Sequence, residues 1–182
     1  MFRLAIFLAA SAAFLLFSLR SLRSPRSHGF YRFFAFEFLA ALILWNIPYW
    51  FREPFSVHQI VSWFLLLTSL GLAIEGFRLL RMIGKPAPEA ARDANLGFEN
   101  TTTLVTVGAY RFIRHPMYAS LLGLGWGACL KQLSAVSVAL ALAASAFLLL
   151  TALAEEAENL ARFGSPYAAY MKATRRFIPF VF

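Results

Sequence analysis

SAVSVALALAASAFLLLTALAEEAENLARFG, residues 134–164, is the run on which the fold of this chain turns. Nothing in it breaks a helix between Ser134 and Phe163, and Gly164 with Pro166 then supplies the stop. Roughly thirty residues at 1.5 Å each make about 45 Å of helix. That exceeds the ~30 Å hydrocarbon core of a bilayer. The apolar part, 135–154, therefore reads as a membrane span, and the turns carrying Glu155, Glu156, Glu158 and Asn159 emerge beyond it.

The rest of the chain agrees. Of its 182 residues 60% are hydrophobic and 14% charged, a division that a water-facing surface and a buried core cannot share. Four further apolar stretches, 4–19, 33–51, 60–77 and 117–130, bring the expected fold to an all-α polytopic membrane bundle of about five spans. The first and fourth are short, and so are expected to start in the interface or to thin the bilayer locally. Seventeen Lys and Arg against nine Asp and Glu leave a net charge of +8. These bases lie between apolar blocks and form no soluble basic face, which argues against nucleic acid as a partner. The only cysteine, Cys129, excludes a disulfide framework and any multi-cysteine metal site.

Loop charges orient the spans, because short cytoplasmic loops gather Lys and Arg. Fourteen bases fall after the first, third and fifth spans, and only Arg3, Arg52 and Lys131 fall on the alternate side. The amino terminus is thus expected outside and the carboxyl terminus in the cytosol. Ala10, Ala12 and Ala13 would also suit a cleaved signal peptide. Cleavage would put the Arg-rich loops on the exported face, against the charge rule. The expected layout is one integral-membrane domain: three spans over 1–83, a cytosolic loop over 84–115, a helix pair over 116–163 and a cytosolic tail over 164–182. The long polar stretch 84–107 suits a lid or an acceptor-binding edge.

Chemistry concentrates in two places. Pro116 follows Arg114 and His115, so His115 belongs at a loop-to-helix junction, where Tyr118 joins it. A helix start attracts anions, and an adjacent arginine can grip a carboxylate or phosphate; the bland reading is a headgroup-binding arginine and an aromatic-belt tyrosine. The second place is the end of the last span. Three glutamates near a helix carboxyl end are unfavourable and call for a cation, from Arg114, Arg175, Arg176 or the ammonium or sulfonium of a ligand. Both clusters, with Tyr167 and Tyr170, fall on one membrane side, and the turn around Lys131 makes the last two spans antiparallel neighbours. Glu37 and Glu75, in apolar surroundings, either line an acceptor entrance or pair with Arg32 or Arg78. His28 and His58 are not expected to be catalytic.

GAYRFIRHPMY from Gly108 to Tyr118, the Glu155-Glu156 pair, FGSPYAAY from Phe163 to Tyr170 and the ending from Arg176 to Pro179 together resemble one superfamily. It is that of the integral-membrane isoprenylcysteine carboxyl methyltransferases and phospholipid methyltransferases, and the resemblance covers 103–182. It implies S-adenosylmethionine as cofactor, held at the cytosolic end of the last helix pair, and a lipophilic acceptor arriving from the membrane. Tyr110, Arg114, His115, Pro116, Tyr118, Tyr167 and Tyr170 would then enclose the cofactor, with Glu155 or Glu156 receiving its ammonium. No Gly-x-Gly-x-x-Gly follows a strand, so nucleotide binding would be built from helices. Glu155 and Arg176 are the expected catalytic residues. Arg176 or Arg175 would serve a carboxylate acceptor such as an isoprenylcysteine, whereas Glu37, Glu75 or Glu158 would serve a phospholipid amine. Ser165-Pro166 and Arg175 depart from the common pattern and leave the acceptor open. The compactness of the chain suggests a bacterial inner membrane, with membrane lipids as partners. A non-catalytic scaffold, in which the glutamates simply pair with the tail arginines, is the competing expectation.

Overall fold

The computed structural model describes residues 1–85 and 101–181. They form six α-helices: α1 (Phe2–Leu22), α2 (His28–Asn46), α3 (Val57–Leu79), α4 (Pro116–Cys129), α5 (Ala135–Phe163) and α6 (Ser165–Ala173). No strand occurs among the described residues; Ile113 and Arg175 form an isolated parallel bridge.

Local chemistry sets the boundaries. Ser27 and Ser134 cap α2 and α5, their hydroxyls accepting from the N–H of Phe30 and Ser137. Pro48 ends α2 in a 3-10 turn over Ile47–Tyr49. α5 runs unbroken to Gly164, whose φ of 62° is open to glycine and strained for other residues. α3 continues into a π turn at Leu80–Gly84.

α1, α2 with its 3-10 extension, α3 with its π turn, and α5 are each long and apolar enough to cross a membrane. α4 has 14 residues, about 21 Å, so the expected fourth span falls short of the core by itself. It is packed between α3 and α5, while α2 lies on α5 and α1 on α2. The lateral order is therefore α1, α2, α5, α4, α3, with α2 also reaching α4.

Small residues and buried hydroxyls draw these helices together, as expected where lipid removes the hydrophobic drive between spans. A Cβ on Gly127 would lie 2.9 Å from Leu66 Cγ and 3.2 Å from the Ser62 carbonyl oxygen, so α3 and α4 meet closely there. Ser62 and Ser69 donate across that interface to the carbonyls of Gly127 and Ser120, each at 2.6 Å. Asn46 of α2 bridges to the Ala128 carbonyl and to Ser137 of α5. Phe17, Phe64, Leu67, Leu70, Ile74 and Leu142 are exposed, an outer surface suited to lipid and ill suited to water.

The starts of α2 and α4 and the ends of α1, α3 and α5 lie at one end of the bundle. At the other, Lys131 is buried, donating to Gln59 Oε1 at 3.0 Å with its ammonium 3.6 Å from the Trp63 ring centre. This cation–π contact ties α3 to the α4–α5 turn.

Candidate functional site

At the junction before α4 His115 lies outside the α region, at φ −125° and ψ 62°, as a residue before proline must. Its backbone is paired with the tail. Arg114 N–H donates to the Arg175 carbonyl at 2.7 Å, His115 N–H to that of Arg176 at 3.2 Å, and Arg175 N–H to that of Phe112 at 3.1 Å. The Tyr170 hydroxyl, on α6, donates to the Tyr110 carbonyl at 2.6 Å. α6 and the tail are thereby folded back over the junction.

That return brings four charged groups together. Glu156, whose side chain is 5% exposed, accepts from Arg114 Nε at 2.9 Å and from Arg176 Nε and Nη2 at 3.1 and 2.9 Å. His115 Nε2 lies 3.3 Å from the same carboxylate. Arg114 Nη1 also donates to the carbonyls of Met171 and Thr174, capping the end of α6. Glu155, one residue earlier and about a hundred degrees around the helix, reaches His115 Nδ1 at 3.5 Å. Glu158 turns elsewhere, taking His28 Nδ1 at 2.6 Å and the His28 N–H at 2.9 Å, which pins the start of α2 to α5.

Burial alone would push the His115 pKa down, but hydrogen bonds to Glu155 and Glu156 and their negative charge outweigh it, and the net direction is up. With a carboxylate near each ring nitrogen the charged imidazolium is favoured, and in that form both nitrogens donate and neither serves as a base. Burial pushes the phenols of Tyr167 and Tyr170 well up, so both remain protonated donors. The Arg176 guanidinium is held still more firmly in its charged form by Glu156.

Beside this hub is a cavity of about 210 Å³, larger than the ~150 Å³ void that admits a benzene ring in a well-studied core mutant. One part of its wall is polar: Arg114, His115, Glu155, Asn159, Tyr167 and Tyr170. Another is apolar: Phe36, Ala73, Leu80, Leu104, Met117 and Leu121. Tyr110 and Tyr118 complete it, the Tyr118 ring stacked on His115 with centroids 5.4 Å apart.

Of the residues singled out from sequence, Tyr110, Arg114, His115, Tyr118, Glu155, Tyr167 and Tyr170 line this one cavity. Pro116, Glu156 and Arg176 do not: Pro116 starts α4, and the other two face each other. Arg114 and Glu155 thus share the cavity lining, whereas Glu156 is in direct contact with Arg114. Arg175 is exposed and contributes its backbone. Glu37 accepts from Ser11 at 2.6 Å, and Glu75 from the Ala109 N–H at 3.0 Å; neither is among the lining residues, and neither contact is with the arginines named for them. Sequence reasoning missed two features: Arg32, which lines the cavity, and His28 as the partner of Glu158. The i, i+4 spacing of Arg32 and Phe36 was the available signal. Most of the long polar stretch, 86–100, lies outside the described residues, and the segments flanking it are joined by Thr102 and Thr103 N–H bonds to the Gly84 carbonyl.

A bundle of apolar helices with a charged-and-apolar cavity at one end has the build of an integral membrane protein. The family model for phospholipid methyltransferase matches residues 57–164, from the start of α3 to the end of α5. The chain belongs to that family and hence to the integral-membrane methyltransferase superfamily. The match takes in Arg114, His115, Glu155 and Glu156 but not α1, α2, α6 or the tail. Neither curated proteins nor solved structures give a match.

Proposed function

We propose that this protein moves a methyl group from S-adenosylmethionine to a lipophilic acceptor at the cavity beside Glu155. The observation carrying this reading is that one cavity has both a charged wall and an apolar wall, in a member of a methyltransferase family. The residues suit the cofactor. Glu156 is already held by two guanidiniums, so Glu155, half-buried at the wall, is the carboxylate fit to receive the α-ammonium. Tyr167 and Tyr170 keep their protons, and the His115–Tyr118 stack offers a flat surface to a ring. When bound, S-adenosylmethionine supplies an activated methyl carbon on its sulfonium.

Charge disappears in such a displacement, so alignment and dryness contribute more than a strong base. The apolar wall excludes water and orients the acceptor. Arg114, Arg176 and Glu156 are positioning residues that hold the tail and the α4 junction in place; Arg176 acts through Glu156. An isoprenylcysteine-like carboxylate fits this chemistry, needing no proton removed. A phospholipid amine is the second reading, favoured by the description of the matching family. The fourteen-to-three division of loop bases supports a cytosolic site, in keeping with a bacterial inner membrane.

Detergent-purified protein is expected to bind S-adenosylhomocysteine, and Glu155→Gln to weaken that binding at least tenfold, the scale of a charge-assisted hydrogen bond. Folded wild type that binds none would overturn the proposal in favour of a scaffold. Labelled methyl appearing in a prenylated thiol or in an aminophospholipid decides between the acceptors.

A further inference from the structure

Arg32 sits on α2, outside the stretch matched by the family model, and is 2% exposed. Its guanidinium is folded back toward the start of its own helix: a Cβ on Gly29, one turn earlier, would stand 3.5 Å from Arg32 Nη2. The same Cβ would be 2.5 Å from Ser21 Oγ, so glycine is what allows the end of α1 to close over this position. Arg32 lines the cavity, and so does Phe36, one turn deeper along α2. Met117 and Leu121 of α4 continue the apolar lining.

An ionisable side chain buried within a membrane bundle marks a partner or a substrate path. Here a buried cation lines a cavity that apolar residues of α2 and α4 also line. A molecule suited to both features is an amphiphile with a negative group at its head and a hydrocarbon chain behind it. We infer that Arg32 is the anion-recognition residue for the acceptor: it holds the phosphodiester or carboxylate of a lipid whose chain runs past Phe36 and Leu121. This assignment rests on the methyltransferase reading for the word acceptor, and on the cavity alone for the binding.

The test uses the full chain in detergent and native mass spectrometry. One arm offers phosphatidylmethanol against diacylglycerol with the same chains, and the other offers S-farnesylcysteine, N-acetylated, against its methyl ester. Wild type is expected to retain the anionic member of at least one pair about tenfold or more over the neutral one, the value of one charge-assisted hydrogen bond. Arg32→Gln should erase the preference and Arg32→Lys keep part of it, with S-adenosylhomocysteine affinity within about twofold of wild type in both. The arm that shows the preference names the source of the anion. Equal retention of anionic and neutral lipids by wild type overturns the inference without reference to any variant. So does a loss of S-adenosylhomocysteine affinity in a folded Arg32→Gln protein, which would move Arg32 to the cofactor. Arg32-dependent lipid selection in a wild type that binds no S-adenosylhomocysteine would instead sink the methyltransferase reading and leave Arg32 as an anion site.

Discussion

Glu156→Gln isolates the bracing role of the charge hub from any role in holding a ligand. The substitution keeps size and shape but removes the negative charge that faces Arg114 at 2.9 Å, Arg176 at 2.9 and 3.1 Å and His115 at 3.3 Å. It also turns an amide NH₂ toward groups that can only donate. Breaking a buried ion pair from one side costs about 3–5 kcal/mol. Arg176, 20% exposed, recovers some hydration, which places the effect near the lower end, about 3 kcal/mol. For a chain of this size that is about 6–12 °C in midpoint temperature. The assay is built in, because Cys129 is the only cysteine and is fully buried, so a thiol-reactive fluorogenic dye reports global unfolding on heating. Glu155→Gln, which disturbs the 3.5 Å contact with His115 and a hydrogen bond with Tyr118 on a half-buried residue but leaves both arginines paired with Glu156, is expected to shift the midpoint by less, about 3 °C. A Glu156→Gln protein as stable as wild type, or a Glu155→Gln protein that is the less stable of the two, refutes this division of labour.

Other outcomes follow from the same geometry. Because the folded state raises the His115 pKa, the stabilisation from its proton is complete below the ordinary value of 6.5 and is lost as pH rises through the higher folded value. Midpoint temperature should therefore fall as pH rises above about 6.5, with a smaller slope in His115→Gln; a wild-type midpoint that climbs over this range contradicts the assignment. Tyr170→Phe deletes the 2.6 Å bond to the Tyr110 carbonyl and leaves that acceptor buried, for a loss of about 1–3 kcal/mol by the same melting assay. Gly127→Ala drives a methyl into Leu66 and the Ser62 carbonyl and should cost about 1–3 kcal/mol, whereas a Cβ on Gly71 meets nothing within 4 Å, so Gly71→Ala should be neutral or stabilising. Equal effects of the two glycine substitutions would count against the close α3–α4 contact. Single cysteines at Ser56 and Ser165, read against buried Cys129, should react with an impermeant reagent from opposite faces of the membrane; labelling of both from one face rejects the proposed orientation.

Most of the architecture was open to reading because lipid imposes simple rules: apolar length, loop charge and the Gly164–Pro166 stop locate helices without any knowledge of their packing. The neighbourhood of Arg114, His115 and the terminal glutamates was readable for a related reason, since proline fixes a helix start and a row of acids at a helix end requires cations. What the sequence could not separate was the division among Glu155, Glu156 and Glu158. Successive residues point about a hundred degrees apart, and which direction meets a cavity, a guanidinium or His28 depends on where α2, α4 and the tail lie around α5. Lys131 illustrates the same limit. As a loop charge it was counted for topology, but its burial over Trp63 is a product of three segments meeting, 72 residues apart in the case of Gln59. Arg32 escaped notice as a cavity residue because an arginine near a span end reads first as a headgroup anchor.

The pairing of the tail with the α4 junction also sets an order of manufacture. Arg114 leaves the ribosome 42 residues ahead of Glu156, and Glu156 in turn 20 residues ahead of Arg176. Every long helix can thus be inserted while the pocket is still missing a wall and its anion still lacks its second clamp. A nascent chain released before that last stretch would have all its long helices and yet hold an unfinished cavity.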